Sequence, residues 1–297
     1  MRRAMVRAMP WVFVLIWSTG FVVARLAMPH SPPFSFLTVR FALSALCLFA
    51  WIALARAAWP VGRVQWGHLA VTGALMQAGY LGGVWAAVKA GIGAGTVALL
   101  VGLQPVLTAL WVTATTSRSV DAKGNASRVS MREWLGLLLG FSGLGFVVWP
   151  KLGTGEVTAA NLAMAIVALF SITIGTLYQK RYVAPCDVRS ASAVQMLAAL
   201  VLSAPFAFFE PEAMDWHANL VAAMAWSVGV LTLGGSSLLY LLIQRGEATA
   251  VTSLLYLVPP CTALMAWALF GEAFTPLMML GMALTVAGVA IVVRGRA

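Results

Sequence analysis

Charge is scarce in this 297-residue chain: Asp, Glu, Lys and Arg together make up 9% of it, where a soluble domain carries about 25%. So few charges cannot coat a water-facing surface. With 61% apolar residues and a mean hydropathy of +0.91, the chain is expected to lie in a membrane. Cysteine is equally sparse. Cys47, Cys186 and Cys261 are odd in number and two of them lie in apolar runs, which leaves neither a disulfide framework nor a CxxC metal pair. Acids are rarer than bases, nine against nineteen, and all nine, Glu133 and Glu272 included, fall in loops or at the ends of apolar runs. The excess of base does not point to nucleic acid. Lys and Arg are scattered between apolar stretches, with no zinc-finger spacing and no basic helix. His30, His68 and His217 are dispersed without an acid at ligand spacing, so no metal and no cofactor is expected.

What the chain does have is length in its apolar runs. Stretches of roughly 17 to 25 residues suit a bilayer core, and ten are found, at 10–28, 34–55, 66–88, 92–114, 132–150, 159–179, 190–209, 219–243, 248–270 and 275–293. The fold class is therefore an all-α polytopic membrane protein with ten transmembrane helices. Met1-Arg2-Arg3 before the first run resembles a signal peptide, but no small-x-small cleavage site follows, and the run is kept as the first span. Of the nineteen Lys and Arg, only Arg25, Lys89 and Lys151 fall on one side of the membrane and Arg40 falls inside span two. The other fifteen lie on the side of the termini, which the positive-inside bias assigns to the cytoplasm of a multi-pass plasma (inner) membrane protein.

The ten spans are two copies of one unit. Ala94 to Trp111, AGTVALLVGLQPVLTALW, returns 154 positions later as Ala248 to Met265, ATAVTSLLYLVPPCTALM, with eight of eighteen residues identical. Pro105 and Pro259 occupy the same place in each copy, and a helix-interior proline costs about 3 kcal/mol, so both are read as helix breaks. At a separation of 155, Gly20 meets Gly175, Arg25 meets Lys180, Arg40 meets Gln195 and Trp85 meets Tyr240; near the half ends the separation falls to 145. The missing residues place an insertion in the polar loop 115–130. Five spans per half is an odd number, so residues 1–150 and 151–297 are expected to form inverted repeats about an axis in the membrane plane.

The run Ile16-Trp17-Ser18-Thr19-Gly20-Phe21 ending in Arg25, then Pro33, Arg40-Phe41, the Ala94 to Leu110 segment, its echo ending in Gly271-Glu272, and the Gly281/Gly288 helix are similar in order and spacing to one known family. The chain resembles, over nearly its whole length, the drug/metabolite transporter superfamily in its EamA-like branch of ten-helix permeases. That resemblance implies export or uptake of small metabolites, such as amino acids or related compounds, through a central cavity between the halves. One departure stands out: Gly271-Glu272 has no counterpart in the first half, where the polar insertion stands.

A transport cavity needs deep polar or aromatic residues. The substrate-binding candidates are Trp17, Gln77, Tyr80, Trp85, Gln104, Thr173, Tyr240 and Tyr256. A serine or threonine hydroxyl can equally bond its own helix, whereas the amides of Gln77 and Gln104 need partners on another helix or on a solute. Trp17 sits mid-span, unlike the interfacial tryptophans. Arg40 and Glu272 are the gating or charge candidates. Arg40 can snorkel to the headgroups, pair with Glu272, or face the cavity and attract a carboxylate. Because an intramembrane acid is the common means of holding a cation, cationic solutes are expected to be poor substrates. Gly136, Gly140 and Gly143 on span five and Gly281 and Gly288 on span ten form smooth faces suited either to internal contact or to a homodimer seam. The partners are thus a small-molecule solute and the lipid bilayer, with a homodimer as one reading of the glycines. Two other functions fit a chain of this class: an integral-membrane enzyme acting on lipid-linked substrates, which would need ionisable groups clustered at one face, and a non-transporting membrane sensor.

Overall fold

The computed structural model describes residues 2–116, 131–235, 238 and 257–294. Every regular element among them is helical. The first half holds α1 (Arg2–Ala27), α2 (Pro33–Ala55), α3 (Arg63–Gly73), a π-helical segment (Ala74–Gly79), α4 (Tyr80–Lys89), α5 (Ala94–Val101), α6 (Gln104–Thr116) and α7 (Met131–Gly153). The second holds α8 (Ala159–Tyr182), α9 (Val188–Phe208), α10 (Ala218–Ala225), a second π-helical segment (Trp226–Gly234), α11 (Val258–Phe270) and α12 (Pro276–Arg294). Four stretches, α2, α8, α9 and Trp134–Leu152 of α7, are each long and apolar enough to cross a bilayer unaided. Trp11–Ala27, Ala94–Thr108, Ala218–Gly234, Val258–Phe270 and Pro276–Ile291 are shorter apolar helices, and α3 runs through the first π segment into α4.

Local chemistry sets the helix ends. Pro33 opens α2, where its missing N–H costs nothing. Thr158 and Asn161 close a reciprocal capping box on α8, and the Asp187 carboxylate accepts from Arg189 N at the start of α9. Gly271 ends α11 in the left-handed region at φ 65°, where a side chain would be strained.

The stretch expected as one span at 92–114 is divided, α5 stopping at Val101 and α6 starting at Gln104. Pro105 has no N–H to offer the Val101 carbonyl four residues back, so α5 ends there and Pro105 falls in the first turn of α6. Pro259 likewise lies in the first turn of α11. It enters the gap between α5 and α6: a Cβ on Gly102 would lie 2.7 Å from Pro259 Cγ.

Three of the same-numbered pairs of spans meet across the centre. α2 lies along α9, α7 along α12, and α5 against α11. Pairing of counterparts is what a two-fold axis in the membrane plane requires, and the fold is an all-α inverted repeat. The glycine faces are spent inside the molecule. A Cβ on Gly288 would lie 2.6 Å from Gly136 O, and one on Gly281 would lie 2.5 Å from Gly143 O, so α7 and α12 touch backbone to backbone. Thr285 Oγ1 stitches the seam by donating to Gly281 O at 2.9 Å and Gly140 O at 3.5 Å.

The two π segments also correspond. Shifted by 155 residues, 74–79 becomes 229–234, which lies within the second segment. Such turns are rare and gather at functional sites.

Candidate functional site

Between the halves lies a cavity of about 450 Å³, within the range of small-molecule sites. α1 contributes Trp17 and Phe21, α2 contributes Arg40, and α4 contributes Tyr80 and Trp85. The first π segment adds Met76 and Gln77, the second adds Leu231 and Thr232, and α9 adds Gln195 and Met196. Each π segment therefore delivers part of the wall. Span three can lie this close to the second half because its glycines leave room: a Cβ on Gly79 would lie 2.5 Å from Ser171 Oγ, and one on Gly83 would lie 2.7 Å from Met164 O.

Arg40 lies at the blind end. Its side chain belongs to the cavity wall rather than to the lipid boundary, with only 6% of the residue exposed, so it does not snorkel. The guanidinium stands 6.0 Å from the centre of the Trp85 ring, and Trp85 is backed by Phe36 at 4.4 Å. Arg40 Nε is enclosed without a hydrogen-bond partner. No carboxylate among the described residues lines the cavity.

The cavity opens on the face that carries the α2–α3 and α8–α9 connections, where Gln179, Lys180, Ala184, Pro185 and Cys186 form its mouth. One side of the mouth joins the halves. Gln65 Nε2 donates to Ala184 O at 2.8 Å, and Ala184 N donates to Gln65 Oε1 at 3.1 Å. Beside it Asp187 accepts from Arg189 Nη2 at 2.7 Å and Nε at 3.0 Å. Those hydrogen bonds hold the Asp187 carboxyl below the usual carboxylate range, so it stays charged at neutral pH.

The opposite face is sealed. Glu272, from the α11–α12 connection, accepts from Ala94 N at 3.0 Å and Gly95 N at 3.4 Å, closing the start of α5, with Arg25 Nε 3.9 Å away. Gly93 leaves room for both acids here, since a Cβ there would lie 2.7 Å from Glu272 Oε2 and 2.9 Å from Glu156 Oε1. Glu210 does the same for α2, accepting from Phe34 N at 2.9 Å and from Ser35 N and Oγ at 2.7 Å each. Carboxylates suit these positions because a helix start carries partial positive charge. Lys89 to Glu212 at 2.6 Å and Lys151 to Glu156 at 2.6 Å complete the closure. Both capping acids come from the second half and both helix starts from the first.

The cavity thus brings together Trp17, Arg40, Gln77, Tyr80 and Trp85. It does not collect the rest. Thr173 Oγ1 donates to Leu169 O of its own helix at 2.7 Å. Gln104 Nε2 donates to Thr176 Oγ1 at 2.9 Å, tying α6 to α8. Glu272 sits at the sealed face and does not pair with Arg40. Tyr240 and Tyr256 lie outside the described residues. Ser18 and Thr19 bond their own helix, to Val14 O at 2.8 Å and Ile16 O at 2.6 Å. Among the wall residues that the sequence did not mark as binding candidates are Met76, Gln195, Met196, Leu231 and Thr232. For Gln195 the signal existed, since the repeat sets it opposite Arg40.

The Gln104 to Thr176 bond makes a prediction. Such intramembrane bonds average about 0.6 kcal/mol, so a double-mutant cycle of Gln104→Leu and Thr176→Val on unfolding free energy should return a coupling of roughly that size. Solute preference should be unchanged, and a change in it would move Gln104 into the binding wall.

Among the described residues no group of three or more His, Cys, Asp and Glu could hold a metal ion. The family model described as "EamA-like transporter family" matches residues 9–149 and again 160–294. The chain is 27% identical over 289 residues to the uncharacterized inner membrane transporter YedA of Escherichia coli, covering 95% of this chain and 88% of that one. It is 22% identical over 292 residues to a probable amino-acid metabolite efflux pump of Salmonella typhimurium, covering 95% and 92%. A solved crystal structure shares the fold with a TM-score of 0.63 at 21% identity, over 96% of this chain and 95% of that one.

Proposed function

The chain belongs to the EamA-like transporter family, and from that premise we propose that it is an alternating-access exporter of amino acids or related compounds. It is an integral, multi-pass membrane transporter of small polar solutes rather than an enzyme. In the proposal, residues 1–150 and 151–297 are the two repeats that move about the cavity. The inner membrane is its seat, a reading supported by the relative in Escherichia coli, and both termini face the cytoplasm, a reading supported by the bias of Lys and Arg. The amino-acid class and the outward direction draw support from the efflux-pump relative.

One observation supports the mechanism: the cavity is open on one face and closed on the other, where Glu210 and Glu272 of the second half cap the starts of α2 and α5 of the first. A solute entering past Lys180 and Cys186 meets Gln77 and Arg40 before the barrier formed by Glu210 and Glu272. Rocking the halves would draw both carboxylates off the α2 and α5 starts and bring the mouth together at the Gln65 to Ala184 contact. The cavity would then face the other way.

The test is counterflow in proteoliposomes holding the full-length chain, with labelled amino acids, N-acyl amino acids, organic acids and organic cations. Saturable accumulation of at least one of the first three classes is expected, with cations slow. If no class moves faster than in protein-free vesicles, the reading falls.

A further inference from the structure

We infer that the cavity is an anion site in which Arg40 anchors the carboxylate of the solute, and that the preferred solute is a monocarboxylate with a compact apolar body and no free ammonium group. The inference rests on the transport reading and narrows it: of amino acids and related compounds, the site favours those whose amine is missing or acylated.

The cation is built in, and no carboxylate among the described residues lines the cavity with it. Arg40 is 6% exposed, lines the blind end of the cavity, and has an enclosed Nε with no partner. A buried guanidinium is costly unless it is paired. The Trp85 face at 6.0 Å offsets only part of that cost and holds no proton acceptor in the guanidinium plane. The carboxylate closest along α2 is already taken: Glu210 is bound to the start of that helix by Phe34 and Ser35, about one and a half turns from Arg40. Glu272 is bound to the start of α5. Among the described residues the other charged group on the wall, Lys180 at the mouth, is also positive, so the field along the entry path draws anions inward.

The geometry narrows the anion. A guanidinium is a planar fork that matches a carboxylate with two parallel bonds, and Trp85 lies against one of its faces. A phosphate monoester, carrying nearly two charges, would ask for a second deep cation, and among the described residues Arg40 is the only deep one on the wall. The body of the solute meets Trp17, Phe21, Met76 and Ile172, which are apolar. Among the described wall residues an α-ammonium group would find only neutral side-chain acceptors, such as the Gln77 and Gln195 amides and the Tyr80 and Thr232 hydroxyls.

The experiment compares four probes of one shape on the purified full-length chain by tryptophan fluorescence: 3-phenylpropionate, 3-phenylpropionamide, L-phenylalanine and phenethylamine. The carboxylate should bind at least about tenfold tighter than each of the other three, as exchanging a neutral for a charge-assisted pair implies. Arg40→Gln should bring carboxylate and amide to within about twofold of each other, while Arg40→Lys should keep part of the difference. The wild-type comparison stands even if neither variant folds. Equal binding of amide and carboxylate, tighter binding of L-phenylalanine, no binding of the carboxylate, or a preference that survives Arg40→Gln would each overturn the inference. Counterflow of a solute without a carboxylate, alongside such a result, leaves transport standing and removes only the anion site. Absence of counterflow in every class removes the transport reading instead.

Discussion

Gly288→Val should leave little folded protein. The new Cβ would lie 2.6 Å from Gly136 O and 3.0 Å from both Gly140 N and Leu139 Cβ. Two of those atoms are backbone, which cannot swing aside as a side-chain end can, so the expected loss is about 3 kcal/mol, the upper end of overpacking. The measurement is the fraction of monodisperse protein by size exclusion, together with its thermal midpoint. Gly145→Ala is the control, because a Cβ at Gly145 meets nothing within 4 Å. The same pair of measurements separates the two readings of the glycine faces. A dimer seam would yield folded monomer from Gly288→Val, whereas the internal seam between α7 and α12 yields loss of fold. As much folded protein as in the parent chain would show that the seam can open.

Glu272→Ala should turn the cavity partly around. The substitution removes two bonds to a charged acceptor at the start of α5, one of them long at 3.4 Å. At about 2 kcal/mol for the pair, the balance between the two orientations moves by roughly thirtyfold. A cysteine at position 20 reports it, since Gly20 lines the cavity and a Cβ there meets nothing closer than Leu231 at 3.9 Å. With Cys47, Cys186 and Cys261 replaced, Gly20→Cys should react with an impermeant maleimide from the Lys180 face alone. Adding Glu272→Ala should allow reaction from the other face as well. Labelling that stays one-sided would mean that Glu210, Glu212 and Glu156 hold the closure without Glu272.

Much of the architecture was legible because the bilayer imposes it. A span must be apolar over a fixed length, and a duplicated span keeps its proline, so Pro105 and Pro259 marked their places without any structure. What the sequence could not convey was which partner a polar atom finds. Gln77 and Gln104 look alike as amides in apolar runs. One lines the cavity and the other is satisfied by Thr176, a choice made by how α6 and α8 rotate against each other. Arg40 and Glu272 invited pairing as opposite charges near one face. Backbone N–H groups at the start of α5 took the carboxylate instead, a competitor that no side-chain pattern displays. The glycines were ambiguous for a similar reason. A smooth helix face records that something comes close, and α12 turned out to be that neighbour.

The paired π segments bear on how this chain can change over time. A π turn amounts to one residue inserted into an α-helix, and because both halves carry one at the same place, Gly20 with Gly175 and Trp85 with Tyr240 keep a spacing of 155 on either side of it. Deleting a single residue from 74–79 would shorten the chain hardly at all. It would let the π turn revert to α-helix and leave Tyr80 and Trp85 facing the cavity, whereas a deletion from an α-helical part of the span would rotate everything downstream by about 100°. The π turn is therefore the place in each half where the gain or loss of one residue can be absorbed without turning the wall residues away from the cavity.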